Sequence, residues 1–253
     1  RFYVQMPLGY GKTFYDPSVN WNYKTEPDPG LAGNADHWPR GRILGGSSSI
    51  NAMVWIRGNP ADYDGWAAQG NPGWAWKDVL PAFKEIEDNA AGETDVRGRG
   101  GPMHITDCSA LAHPLARKYL RAAQEAGLPL NDDFNGRTQE GVGVYQITTK
   151  NGRRMSAARA FLRPAMRRPN VRVETGALAT RILFEGSKAV GVEYQQGDAT
   201  HTVRAGREVI LSAGSINTPQ LLQLSGIGPA GPLRDLGVGM RMDNRNVGRN
   251  LQD

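Results

Sequence analysis

Between Pro39 and Gly58 the chain reads PRGRILGGSSSINAMVWIRG, and no other stretch restricts its possible folds as strongly. Gly45-Gly46 carries no Cβ atoms, so a flat or anionic group can approach the backbone closely. Ser47, Ser48 and Ser49 add hydroxyls and N–H groups of the kind that form concave anion sites. A Gly/Ser run is ordinarily a flexible linker. This one is bounded by Ile43-Leu44 on one side and Met53-Val54-Trp55-Ile56 on the other, which argues instead for a ligand-facing loop set into a core.

At 253 residues the chain has room for one large domain or two ordinary ones, with a real core. A formal net charge of +5 raises the question of nucleic acid. The basic residues are scattered, however, and the densest groups (Arg153-Arg154, Arg163, Arg167-Arg168) are mixed with apolar residues, without an aromatic-interleaved basic face. A solvated surface is the better reading, and a nucleic-acid partner is not expected. Cys108 is the only cysteine, which excludes an internal disulfide and a cysteine-based metal site and favours a reducing, cytoplasmic setting, with peripheral membrane contact as the alternative. His37, His104, His113 and His201 show no metal-ligand spacing, and no apolar run is long enough to span a bilayer. The start at Arg1-Phe2-Tyr3 and the end at Asn250-Leu251-Gln252-Asp253 suggest an internal piece of a longer protein.

Along the chain, alternating aromatics predict a short strand within Asn20–Pro27. Asn59-Pro60 reads as the cap and first residue of a helix ending near Gly70. Trp76 to Asp88 reads as an amphipathic helix with Val79, Leu80, Phe83 and Ile86 on one face and Pro81 near its start. Ala90 to Gly101 is polar and glycine-rich, a candidate exposed excursion or lid. A helix from Pro114 to Ala126 should turn Leu115, Tyr119, Leu120 and Ala123 inward and stop at Gly127, and Ser156 should cap another running to about Arg168. Five short strands follow: 171–175, 180–184, 189–194, 200–204 and 208–212. Val209-Ile210-Leu211 is apolar throughout, as expected of a parallel strand buried on both faces. Thr218-Pro219 should then open a helix that Gly226 ends. Gly226-Ile227-Gly228-Pro229-Ala230-Gly231 formally satisfies G-x-G-x-x-G, but it follows a helix and contains Pro229, so it is read as accidental.

Gly214-Ser215-Ile216-Asn217-Thr218-Pro219-Gln220-Leu221-Leu222 sets a small-residue turn and a helix N-terminus after an apolar run, where nucleotides bind at the mouth of a sheet. The stretch from Gly41 through Asp64 and the one from Gly214 to Gly228 resemble, in order, the two signatures of the glucose-methanol-choline (GMC) family of FAD-dependent alcohol oxidoreductases. The similarity extends over Gly152–Ser156 and Asn246–Asp253 and covers essentially the whole chain. It implies a mixed α/β fold: part of a Rossmann-like FAD domain with a β-meander (1–65 and 170–228) and part of a substrate-binding domain (66–169 and 229–253). It further implies that Leu44, Gly45, Gly46, Ser47 and Ser48 lie along the pyrophosphate and flavin, that Asn51, Ala52, Met53 and Val54 pass the isoalloxazine ring, that Ala179 meets adenine, and that Ala213 and Gly214 pack near the nucleotide. No histidine lies in the first signature, so the FAD is expected to be non-covalent.

The activity the resemblance implies is oxidation of a primary or secondary alcohol, with an electron acceptor such as oxygen, a quinone or a dye. The family's dinucleotide fingerprint and catalytic base fall in missing N- and C-terminal segments, so no catalytic residue is assigned here and the chain alone is expected not to turn over. The alternatives are an FAD-containing lyase on the same fold and a non-catalytic fragment without FAD.

Overall fold

The computed structural model describes residues 1–251; Gln252 and Asp253, the end of the Asn246–Asp253 resemblance, lie outside the described residues. It is mixed α/β and divides into two compact units, Arg1–Val171 and Arg172–Asp253.

In the first unit the expected early strand is Tyr23–Lys24, paired antiparallel with His37–Trp38. The helix Pro60–Ala68 has a full capping box: Asn59 Oδ1 accepts from the Ala61 N–H, and the Asn59 N–H donates to Asp62. The helix Trp76–Ile86 half-buries Val79, Leu80, Phe83 and Ile86, as their spacing requires. It runs directly into the strand Glu87–Asn89, which pairs in parallel with Met103–Ile105. Isolated bridges then tie Val54 and Thr106 to Ile147, so the tail of the glycine-serine stretch is laid against the middle of the unit. The centre is Met103, Ile105 and Ala160, with Trp55 and Met155 packed on it. Asn151 and Gly152, both at positive φ, make the tight turn between Thr149–Lys150 and Arg153–Arg154.

Three expectations in this unit fail for physical reasons. Ala90–Gly101 is not a lid: Arg97, in its middle, is 0% exposed and bonded to Glu87. In the helix Pro114–Glu125, Leu120 and Ala123 turn inward together with Ala116, while Leu115 and Tyr119 are 64% and 70% exposed, because the packed stripe lies one residue further round. Ser156 gives no side-chain cap. The turn after it is a π-helix over Ala158–Leu162 leading into Arg163–Ala165, where Pro164 has no N–H to offer the Ala160 carbonyl.

The second unit is a meander, Ala177–Glu185, Lys188–Gln196 and Ala199–Arg204, all antiparallel, with Gly186 and Gly197 at positive φ in the turns. The helix Gly214–Leu224 packs on its first strand, where the Ile182 N–H donates to Ser225 Oγ at 2.9 Å beside buried Leu221. The helix begins four residues before the expected Thr218. Thr218 instead reaches back, its hydroxyl accepting from the Ala213 N–H, and Pro219 lies inside the helix.

Of the five expected strands, 171–175 and 208–212 do not form. Ile210 is 75% exposed, since among the described residues no strand pairs with the Val209–Leu211 run. After Gly226, Ile227–Gly228 pairs in parallel with Met242–Asp243 around the short helix Ala230–Asp235. That helix start is already filled by the Asp243 carboxylate, which accepts from the Ala230 N–H, so the G-x-G-x-x-G match offers no free nucleotide cradle. Among the described residues no helix is long and apolar enough to cross a membrane.

Candidate functional site

The glycine-serine stretch folds into a tight, backbone-lined loop. Gly45 and Gly46 adopt φ +90° and +55°, and a 3₁₀ turn follows over Gly46–Ser49. Glycine is required at Gly41, where a Cβ would lie 2.2 Å from the Gly46 carbonyl, and at Gly45, where it would meet Ser49 and Ala158. A Cβ on Gly46 would meet nothing within 4 Å, so that position faces open space. Ser49 is buried and donates to the Leu44 carbonyl. Ser48 donates to the Gly45 carbonyl and accepts from the Ala157 N–H, so its hydroxyl is spent holding the loop. Ser47 Oγ accepts from the Gly41 N–H.

The next four residues present a different surface. Met53 is 3% exposed yet sits at φ +67°, a left-handed conformation costing about 1–3 kcal/mol for a side-chain-bearing residue. The surroundings hold it there. Its N–H donates to Asn51 Oδ1, and its carbonyl accepts from the Thr148 N–H and hydroxyl. Asn51 Oδ1 also accepts from Arg154 Nη1 at 2.8 Å. Turning Met53 inward leaves Asn51, Ala52 and Val54 exposed, together with Leu44. The N–H groups of Ala52 and Val54 make no hydrogen bond to another described residue. The loop therefore offers two backbone donors, an apolar edge and a Cβ-free turn: the donor set and flatness that suit an aromatic ring carrying a phosphorylated tail.

The tail of the stretch is clamped by buried charge. Glu87 accepts from Arg57 Nη2 at 2.6 Å, Arg97 Nη2 at 2.6 Å, the Gly98 N–H at 2.9 Å and Trp55 Nε1 at 2.7 Å. Arg97 also reaches Asp133 at 2.5 Å and Gln146 at 2.7 Å, and Arg57 lies over the Phe83 ring at 5.3 Å. Burial alone would raise the Glu87 carboxyl. The Arg97 hydrogen bonds, the Gly98 N–H and both guanidinium charges outweigh it and hold the group below its ordinary value. Asn135 bonds both the Arg57 N–H and the Trp55 carbonyl. Nothing in the sequence expectations marked Arg57, Glu87 or Arg97 for this role, and Arg154, expected on a solvated surface, is only 3% exposed because it bonds the Val4 and Ser48 carbonyls and Asn51. The available signal was Arg57 itself, a charge closing an apolar run inside the glycine-serine stretch.

The remaining residues singled out from the sequence lie in the second unit. Ala179 is exposed on the strand Ala177–Glu185, beside a register shift between Ala179 and Arg181. Ala213 and Gly214 form the exposed start of the helix Gly214–Leu224, with Gly214 at φ +90° and no atom within 4 Å of a Cβ built there. The histidines are engaged locally. His37 bonds Asn22, His104 Nδ1 lies 2.7 Å from Asp88, His113 accepts from the Leu115 N–H, and His201 stacks on Tyr194. Among the described residues no group of three or more His, Cys, Asp or Glu side chains could hold a metal ion.

Comparison with known proteins identifies the family. The family model described as GMC oxidoreductase matches residues 30–253. The oxygen-dependent choline dehydrogenase of Brucella anthropi is 46% identical over 250 residues, covering 99% of this chain and 45% of that protein. Its counterpart in Sinorhizobium fredii is 45% identical over 251 residues, with the same shares covered. Among solved structures, pyridoxine 4-oxidase from Mesorbium loti superposes with a TM-score of 0.89 at 36% identity, over 95% of this chain and 47% of that one. An FAD-dependent oxidoreductase from Chaetomium thermophilum gives 0.86 at 33%, over 96% and 44%. The chain thus spans about half the length of the relatives it matches. It belongs to the GMC oxidoreductase family.

Proposed function

We propose that this chain contributes one wall of the cofactor site in an FAD-dependent enzyme that oxidises a primary or secondary alcohol to an aldehyde or ketone. The observation that carries the reading is the Leu44–Val54 loop. Its left-handed Gly45, Gly46 and Met53 are fixed from behind by Ser48, Thr148 and Arg154, and they leave the Ala52 and Val54 N–H groups facing outward. When bound, FAD supplies the acceptor for the hydride that leaves the carbinol carbon. The chain's own residues hold and orient the group: Leu44, Gly45, Gly46, Ser47 and Ser48 through the loop backbone, and Asn51, Ala52, Met53 and Val54 beside the ring. Gly46 matters most there, because it is the position without a side chain that opens onto free space. In the second unit Ala179, Ala213 and Gly214 are assigned to the nucleotide, supported by the open helix start at Gly214.

We assign 1–65 and 170–228 to the FAD-binding part and 66–169 and 229–253 to the substrate-binding part, on the family match and the positions of these loops. The exposed Ile210, in a Val209–Leu211 run that pairs with no strand among the described residues, supports completion of the sheet by further segments of a longer protein. Choline, named in the curated relatives, is the first alcohol to test, with oxygen, a quinone or a dye as acceptor. A cytoplasmic protein, in peripheral contact with a membrane at most, goes with this reading. The base that takes the hydroxyl proton is not assigned to any residue of this chain.

Titration of the purified chain with FAD, followed by flavin fluorescence and by acid precipitation, tests the reading. Saturable quenching with all flavin released on precipitation is expected, without alcohol-dependent dye reduction by the chain alone. Absence of any FAD binding contradicts the cofactor wall. Steady turnover by the chain alone contradicts the assignment of the base elsewhere.

A further inference from the structure

Among the described residues Arg154 is a buried cation without a carboxylate partner. It is 3% exposed, and its Nε donates to the Val4 carbonyl at 2.9 Å while Nη1 serves the Ser48 carbonyl at 3.2 Å and Asn51 Oδ1 at 2.8 Å. Its Nη2 is buried with no hydrogen-bond partner among the described residues. The two other buried arginines of this unit behave differently: Arg57 and Arg97 both pair with Glu87 at 2.6 Å, and Arg97 pairs with Asp133 as well. A buried guanidinium left unpaired is costly, so the contrast marks Arg154 as a charge whose counterion comes from elsewhere.

The surroundings carry the same sign. Arg154 lines a pocket of about 440 Å³ that also draws on Arg1, Arg153, Arg159 and Arg163, and none of the residues lining it is acidic. Arg159 donates to the Arg154 carbonyl and Arg1 to Ser18, while Arg153 and Arg163 stand exposed with no ion pair among the described residues. Ile43, Leu44 and Leu162 supply an apolar wall, which lowers the local dielectric and strengthens any ionic contact made beside it. Burial of Arg154 lowers its pKa to about 10, so the group still carries its charge at neutral pH.

We propose that this pocket is a binding site for a phosphoryl oxyanion, a phosphate ester or pyrophosphate group, with Arg154 as its buried cation and Arg153 and Arg163 as the exposed ones. Planar guanidinium groups converging on one cavity suit the several acceptor oxygens of such a group. The source is either the phosphates of the flavin nucleotide or a separate phosphorylated compound. The site itself stands on Arg154 and its pocket whether or not the flavin assignment holds. Binding here would tie an anion to the back of the Ser48–Asn51 segment, which Arg154 already holds.

Calorimetric titration of the chain with pyrophosphate, against chloride at equal ionic strength, tests this. Saturable pyrophosphate binding is expected, weakened roughly tenfold or more in Arg154→Met. Because that variant removes three structural hydrogen bonds and can unfold the loop, the double variant Arg153→Gln/Arg163→Gln provides a second reading on exposed residues, with roughly tenfold weaker binding and a shallower salt dependence. No pyrophosphate binding by the unaltered chain beyond the chloride control overturns the proposal, and so does unchanged affinity in the double variant. Competition separates the sources. If FAD displaces pyrophosphate and riboflavin does not, the nucleotide's phosphates fill the pocket; if FAD binds without displacing it, the pocket serves a second phosphorylated ligand.

Discussion

The first signature stretch and the run that leads into the second are built in opposite ways. Gly41–Gly58 is fixed almost entirely by its own unit: Ser47 and Ser48 bond back to the loop and to Ala157, Met53 is held at positive φ by Asn51 and Thr148, and Arg57 ends the stretch on buried Glu87. Val209–Gly214 is held by little. Ile210 is exposed, no strand among the described residues pairs with the run, and the helix start at Gly214 is open. The first stretch is a finished surface against which a ligand can be laid. The second has the composition of a buried strand and helix mouth, and among the described residues no strand covers it. A ligand-facing surface can therefore be complete in one part of a chain while an apolar run in another stays uncovered.

The sharpest way to break this contrast is Glu87→Gln. It leaves the Arg57 guanidinium buried without its carboxylate and should destabilise the first unit by about 3–5 kcal/mol, read as a lower urea midpoint by tryptophan fluorescence. Glu193→Gln, which removes an exposed ion pair with Arg181 in the meander, should cost under about 1 kcal/mol. Equal effects would show that the buried cluster does not set the first unit's stability.

The same cluster fixes the pH response. The folded Glu87 pKa lies below its unfolded value, so its stabilisation is fully present above the ordinary carboxylate range and is lost as pH falls through that range toward the folded value. The acid limb of a stability-versus-pH curve should be steep in the unaltered chain and flatter in Glu87→Gln.

Gly41→Ala comes next in size. Its Cβ would lie 2.2 Å from the Gly46 backbone, and a loss of roughly 1–3 kcal/mol is expected. Gly214→Ala meets no atom and should cost only the strain of φ +90°, on the order of 1 kcal/mol. A larger loss at Gly214 than at Gly41, by thermal unfolding, would reverse the contrast. The smallest effect belongs to Asn59→Ala, which removes the cap just beyond the first stretch at about 1 kcal/mol or less and is visible as a small drop in midpoint.

Legibility in the sequence followed the range of the interactions. The cap at Asn59, the helix-ending glycines Gly70, Gly127 and Gly226, and the three meander strands were readable because each depends on a few adjacent residues. The glycine-serine stretch was readable as a ligand-facing loop from its apolar flanks. Arg97 was not readable: its partners Glu87, Asp133 and Gln146 are scattered along the chain, and a polar glycine-rich segment looks the same whether it waves in solvent or is pinned through one side chain. Val209–Leu211 misled in the other direction, since an apolar run reports what a segment can bury against and not whether that partner is present.

Hydrogen–deuterium exchange of the chain with and without saturating FAD tests the central claim most directly. If the Leu44–Val54 loop is a wall of the cofactor site, FAD should slow exchange there, above all at the Ala52 and Val54 N–H groups, which make no hydrogen bond to another described residue. FAD that binds while protecting other segments and leaving this loop unchanged would contradict the account.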